Sequence, residues 1–314
     1  LLFGLVGGYI GILIGTLLQA IAKALYDSSA SAYIYDYLKN LNKQDCMVKT
    51  WGTINSCLSL GTTISIILGT YLYTHMPVKN LLLINFFIVF AGGILLLTLP
   101  NIKSARENKK IPKNIFINIR RLLKLTFGKK QLRYYIPYAG LLNAFSIFFA
   151  MSFQILMKYA LFPVVLFGTI SFINHGSRAL SGFFANKVYS LLKLKNLLLT
   201  TFVLTIFSFI SIFIFLHNNN IIIRLFLIIF ICFSICIQVI FSIVHLSRLH
   251  KFIPTTYRSL SSSLNAFIVA FATSILFLST KLIINNIKTD IFYLIYFIVF
   301  IIFATIFITK IQKE

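Results

Sequence analysis

Apolar residues fall along this chain in blocks of membrane-spanning length, separated by short polar stretches. The blocks predict helical spans at 1–14, 16–38, 51–74, 80–99, 134–157, 163–187, 196–216, 221–246, 259–283 and 291–310. A spanning helix needs about 20 apolar residues. Gly15-Thr16 offers a turn between the first two blocks, although 1–25 also reads as one helix. The chain opens on Leu1 and is apolar at once, with no charged n-region or small-residue cleavage site of a signal peptide. The expectation is that it begins part-way through a helix of a longer protein.

The pattern breaks once. Between Pro100 and Tyr134, eleven basic residues stand against a single acid, Glu107. This stretch is too polar to span, and it divides the chain into a partial N-terminal bundle (1–100), a basic central loop (101–133) and a six-helix C-terminal bundle (134–314). Within it, Ile115 to Phe127 mixes Ile, Leu and Phe with cations. That mixture fits an interfacial amphipathic helix, with a solvated linker as the alternative.

Composition removes the soluble classes. Of 314 residues, 59% are hydrophobic and 11% charged, and the mean hydropathy is +0.91. Soluble domains carry about 25% charged residues. Lys and Arg number 29 against 6 Asp and Glu, a net charge of +23. Such a balance raises the question of nucleic acid, but the cations lie between spans and no nucleic-acid motif is present. The positive-inside rule accounts for them. Basic loops near Lys39 to Lys49, 101–133, Lys187 to Lys195 and Arg248 to Arg258, and the tail at Lys310, alternate with loops poor in charge. The basic side, with the C-terminus, is therefore expected to be cytoplasmic. The Ile, Lys and Asn usage suggests AT-rich coding and a bacterial inner membrane.

Cys46, Cys57, Cys232 and Cys236 have no zinc-type spacing. The last two, one helical turn apart in an apolar run, read as buried thiols. No metal or cofactor is expected. An intramembrane enzyme would need clustered His, Asp or Glu at catalytic spacing, which six acids do not supply.

Two segments carry a family resemblance. Leu18-Gln19-Ala20, then Tyr26-Asp27-Ser28-Ser29-Ala30-Ser31-Ala32-Tyr33-Ile34-Tyr35-Asp36-Tyr37-Leu38-Lys39, resembles the fourth helix of major facilitator superfamily transporters, with its Ala-x-x-Tyr-Asp-x-Leu-Lys ending. Ile253-Pro254-Thr255-Thr256-Tyr257-Arg258 through Asn265 is similar to the entry into that family's eleventh helix. Ser152-Phe153-Gln154 and Phe167-Gly168 resemble the end of its seventh helix and start of its eighth. The resemblance implies an all-α, polytopic membrane protein of about ten transmembrane helices in a two-bundle arrangement, incomplete at its N-terminus. Helices three to six would precede the basic loop and helices seven to twelve follow it. It implies secondary transport of a small solute by alternating access, with the lipid bilayer as partner, protons as a candidate coupling ion, and a monomer. A truncated or eroded membrane protein that no longer transports is the alternative.

Charges at membrane depth favour function, because they are costly there. Lys23 and Asp27, four apart on one helix, are candidates for proton coupling, with a self-satisfying pair as the alternative. Asp36, near the helix end, reads as an anchor to the basic loop after it. His175 and Arg178, beside Asn174, are candidates for an anion-friendly cavity surface. Gln154, Asn143 and Gln238 are weaker cavity-lining candidates, since interhelical hydrogen bonds explain most such residues. His245 and His250 are expected among the lipid headgroups, and Arg258 as a basic cap toward the membrane face. The stripes Gly61-Ser65-Gly69 and Ser28-Ser31-Ala32 are expected to be close-packing faces. The abundant Phe residues read as lipid-facing.

Overall fold

The computed structural model describes residues 8–99, 115–284 and 289–312, with some of the side chains along the first helix outside that description. All of its regular structure among the described residues is helical. In chain order, α1 is Gly8–Asn40, α2 Met47–His75, α3 Val78–Leu96, α4 Ile115–Gly128 and α5 Lys130–Arg133. Then come α6 (Tyr135–Tyr159), α7 (Val164–His217), α8 (Ile221–Phe252), α9 (Arg258–Ile284) and α10 (Thr289–Gln312). Seven helical stretches among the described residues are long and apolar enough to cross a membrane. The protein is a multi-pass membrane protein.

One of those stretches, Leu166–His217, is far longer than a bilayer requires. Lys193 interrupts it with φ 52° and ψ 177°, outside helical geometry. The break separates arms at 164–192 and 194–217, which correspond to the spans read at 163–187 and 196–216. The expected turn at Gly15-Thr16 is not formed. Instead α1 runs unbroken from Gly8 to Asn40. A glycine inside a helix costs about 1 kcal/mol relative to alanine but does not by itself end the helix.

Helix ends are sealed by local hydrogen bonds. After α1, Lys43 N–H donates to Leu38 O at 2.8 Å and Asn42 N–H to Lys39 O at 3.0 Å, with Asn42 left-handed at φ 55°. This is a Schellman cap, and asparagine tolerates its left-handed position. The same cap closes α6. Phe162 N–H donates to Met157 O and Leu161 N–H to Lys158 O, with Leu161 at φ 55°. At the start of α8, the Asn220 side chain accepts from Ile222 N–H and Ile223 N–H. Asn220 is thus the N-cap of α8.

The best-packed region lies in 134–314, and aromatic rings build it. Phe145 and Phe148 of α6 meet Phe300 and Tyr296 of α10 at centroid separations of 5.2 Å each. Phe149 meets Phe209 of the second α7 arm at 5.0 Å. A subset of the Phe residues therefore forms a core instead of facing lipid. Lipid tails are as apolar as these side chains, so interdigitation and ring geometry hold such helices together where water exclusion cannot. Two of the buried tyrosine hydroxyls find carbonyls. Tyr296 donates to Leu276 O at 2.7 Å and Tyr138 to Leu198 O at 3.3 Å.

The first three helices pack differently. Helix α1 leans on α9, α2 on α7, and α3 reaches the rest mainly through α2. At the α2–α7 crossing, Gly52 and Gly182 face one another so closely that a Cβ on either would strike the other's carbonyl oxygen. Ser56, one turn on, is fully buried there and donates to Gly52 O. The predicted stripe Gly61-Ser65-Gly69 lies further along α2, and Gly61 and Gly69 face open space. The close-packing face, at Gly52 and Ser56, is about two and a half turns earlier. In the other predicted stripe, Ser31 and Ala32 are buried, while the side chain of Ser28 lies outside the described residues.

Candidate functional site

A cavity of about 290 Å³ opens between α6 and the first arm of α7. The capped turn at Leu161 and Phe162 folds these helices back on each other, which brings Gln154 near the end of α6 beside Asn174, His175 and Arg178 of α7. Asn174 and Arg178 are four apart and so share a helix face. Ile147, Met151, Phe167 and Ile170 supply apolar wall. Three predicted site residues, Gln154, His175 and Arg178, are thus assembled in one place.

The polar atoms in this cavity are not used up by the protein. Asn174 is 4% exposed and its Oδ1 has no hydrogen-bond partner. Arg178 Nε is buried and likewise has none. An unpaired buried polar atom costs roughly 1–3 kcal/mol, so such atoms are commonly where a ligand binds. The lining contains a guanidinium, an imidazole and two carboxamides but no carboxylate. Cys232 and Cys236 of α8 lie within electrostatic range of Arg178. The arrangement suits a small solute bearing an anionic or strongly accepting group, with an apolar body against the wall.

The remaining candidates lie elsewhere. Asn143 is half-buried on α6 and does not line this cavity. Gln238 is buried on α8, where its Nε2 donates to Thr205 Oγ1 at 2.9 Å, tying α8 to the second arm of α7. Lys23 and Asp27 stand one turn apart on α1, but their side chains lie outside the described residues.

A second polar cluster joins α1, α8 and α9 near their ends. Arg258 of α9 makes an ion pair with Asp36 of α1, two residues far apart in sequence and at the ends of different helices. Arg258 Nε also donates to His250 O at 3.0 Å and Ile253 O at 3.2 Å. Its guanidinium lies 4.3 Å from the Tyr35 ring centroid. One turn deeper, the Ser31 and Ser262 hydroxyls share a 3.2 Å hydrogen bond.

This cluster corrects three expectations. Asp36 does not anchor the loop that follows it but reaches across to α9. Arg258 is only 5% exposed and caps nothing toward the membrane face. His245 and His250 are buried, not among headgroups. His245 Nε2 bonds Asn265 Oδ1 at 3.1 Å, and the His250 ring packs 5.6 Å from that of Tyr35. Polar side chains at a helix end can turn inward when a neighbouring helix offers partners, and an alternation of loops does not register this.

The structure thus combines apolar spanning helices, a polar cavity and an interhelical clasp. The sequence model of the Major Facilitator Superfamily matches residues 1–277, most of the chain. The chain belongs to the Major Facilitator Superfamily. Transport of a solute across a membrane follows from that membership, and the superfamily's members are transporters rather than enzymes. Among curated proteins none matches this superfamily member in sequence.

Proposed function

We propose that this protein is a secondary active transporter of a small anionic solute, working by alternating access around the α6–α7 cavity. The observation that carries the reading is that Arg178 Nε and Asn174 Oδ1 lie in one cavity, both buried and both without a protein hydrogen-bond partner. Transporter sites sit between helices near the bilayer midplane, and fold membership alone does not choose the substrate. The cavity lining favours an anionic one, through a cation with no carboxylate facing it. Two halves rock against each other in this reading: an N-terminal one containing α1 to α3 and the aromatic-cored 134–314 unit. The Asp36–Arg258 pair joins them and closes the end where the basic loops meet. By the positive-inside rule that end is cytoplasmic, as is the C-terminus. A bacterial inner membrane and proton coupling through Asp27 complete the proposal.

The test is uptake by the full-length protein in proteoliposomes, with radiolabelled mono- and dicarboxylates and a neutral sugar as probes. Saturable uptake of a carboxylate should be lost in Arg178→Gln and largely kept in Arg178→Lys. Uptake of the sugar alone, indifferent to Arg178→Gln, would overturn the anionic assignment.

A further inference from the structure

A groove separate from that cavity lies between α4 and the foot of α9. It measures about 440 Å³ and is lined by Arg121, Lys124, Leu125, Gly128, Lys129 and Tyr257. We infer that this groove binds a phosphate ester anion, specifically the headgroup of an anionic phospholipid.

The sequence of α4 explains the groove. Arg121, Lys124, Leu125 and Gly128 follow the i, i+3, i+4, i+7 spacing of one helix face. The adjoining stripe, Leu122 and Thr126, is buried and holds the helix down. Beyond it, Leu132 packs with Ile136, Leu249 and Ile253. Gly128 leaves room, since a Cβ there would meet nothing within 4 Å. Two cations one turn apart and a third at Lys129 therefore border an open space with one apolar side and a tyrosine opposite. No acid is among the lining residues. Clustered cations at a membrane surface are the ordinary recognition chemistry for anionic headgroups.

Its level in the molecule selects a lipid. Lys129 Nζ donates to Phe252 O at 2.7 Å, at the residue where α8 ends. Tyr257 immediately precedes Arg258, where α9 and its apolar span begin, and Tyr135 begins α6. Three spanning helices start or stop around the groove, so it lies at the membrane–water boundary. A phosphodiester can meet Arg121, Lys124 and Lys129 there while its acyl chains run along Leu125 into the bilayer. Occupancy would also bridge α4 to the turn that carries Arg258.

Native mass spectrometry of the full-length protein, exchanged between phosphatidylcholine and phosphatidylglycerol nanodiscs, tests this. The protein should retain phosphatidylglycerol through delipidation, and Arg121→Gln/Lys124→Gln should weaken retention roughly 25-fold, each basic side chain near an anionic surface contributing about fivefold. Arg121→Lys/Lys124→Arg keeps both charges and should keep the lipid, which separates charge loss from misfolding. Lys43→Gln/Lys49→Gln removes two cations from another basic loop and should leave retention unchanged. An equal loss from both Gln pairs would show diffuse attraction to the basic face and overturn the site. Competition by millimolar glycerol phosphate as effective as the lipid would make the occupant a soluble phosphate and overturn the lipid assignment.

Discussion

Asp36 and Arg258 make an ion pair between the ends of α1 and α9, with Arg258 also bonded to two carbonyls at the end of α8 and seated over the Tyr35 ring. Three helices thus meet at one guanidinium. Its carbonyl partners and the ring compensate part of the cost of burying the charge, which an ion pair alone often fails to do.

Arg258→Gln or Asp36→Asn should lower the thermal stability of the detergent-solubilised protein. Removing one partner of a buried pair costs roughly 3–5 kcal/mol. The Asp36 side chain is 21% exposed, so the lower end of that range is expected. Arg258→Gln should cost more than Asp36→Asn, because it also leaves His250 O and Ile253 O without their donor. Equal, small losses would mean that the pair contributes little.

The Gly52–Gly182 contact predicts a sharp dependence on one methyl group. Gly52→Ala or Gly182→Ala should destabilise by about 1–3 kcal/mol, the usual cost of overpacking. Gly61→Ala and Gly69→Ala, facing open space, should be neutral or slightly stabilising through helix propensity. Thermal unfolding monitored by fluorescence distinguishes them. The reverse ranking would restore the stripe at Gly61-Ser65-Gly69 as the packing face.

That contrast shows what was legible in the sequence. Periodicity and polar punctuation located the helices, because every backbone group in a bilayer must be satisfied within its own segment. Even the division of α7 near Lys193 could be read from Lys187, Lys193 and Lys195. Which small-residue stripe faces a neighbour was not legible, since Gly52-Ser56 and Gly61-Ser65 have the same spacing and differ only in what lies opposite. The cavity was largely legible through Gln154, His175 and Arg178, as deep polar residues are scarce in an apolar helix. Asn174 was noticed only as their neighbour. The clasp was missed although both quoted family segments contain one half of it. One of the few acids, near the end of a helix, and an arginine at the start of another were the available signal.

Gln238 provides a test of the line drawn between structural and functional polar residues. Its bond to Thr205 links two spanning helices. A double-mutant cycle with Gln238→Leu and Thr205→Val should give a coupling of about 0.6 kcal/mol, and at most about 1.7. Solute uptake by Gln238→Leu should keep its KM. A large rise in KM with unchanged stability would move Gln238 into the solute path.

Orientation can be checked by labelling. Single cysteines introduced at Lys43, Lys124 or Lys195 should resist a membrane-impermeant maleimide added outside intact cells, while one at Asn219 should react. Each background would lack Cys46 and Cys57, which are exposed and free. Reaction of both sets from outside would contradict the positive-inside assignment.

The coupling proposal rests on position. Among the predicted spans, Asp27 is the only acid apart from Asp36 at the helix end, so a proton-driven cycle through these helices has little else to use. Because α1 is unbroken, Asp27 and Asp36 share one rigid rod, about 14 Å apart by helical rise. Asp27 also stands one turn before Ser31, whose hydroxyl meets Ser262 of α9. Gain or loss of a proton at Asp27 would therefore act on the helix that carries the clasp to α9. Asp27→Asn keeps the size and removes the charge. In vesicles containing the full-length protein, it should abolish accumulation driven by a pH gradient while solute exchange survives. Unchanged gradient-driven accumulation removes Asp27 from the coupling step. If the variant instead fails to reach the membrane folded, and Lys23→Gln fails in the same way, the pair is a structural strut and the coupling proposal falls.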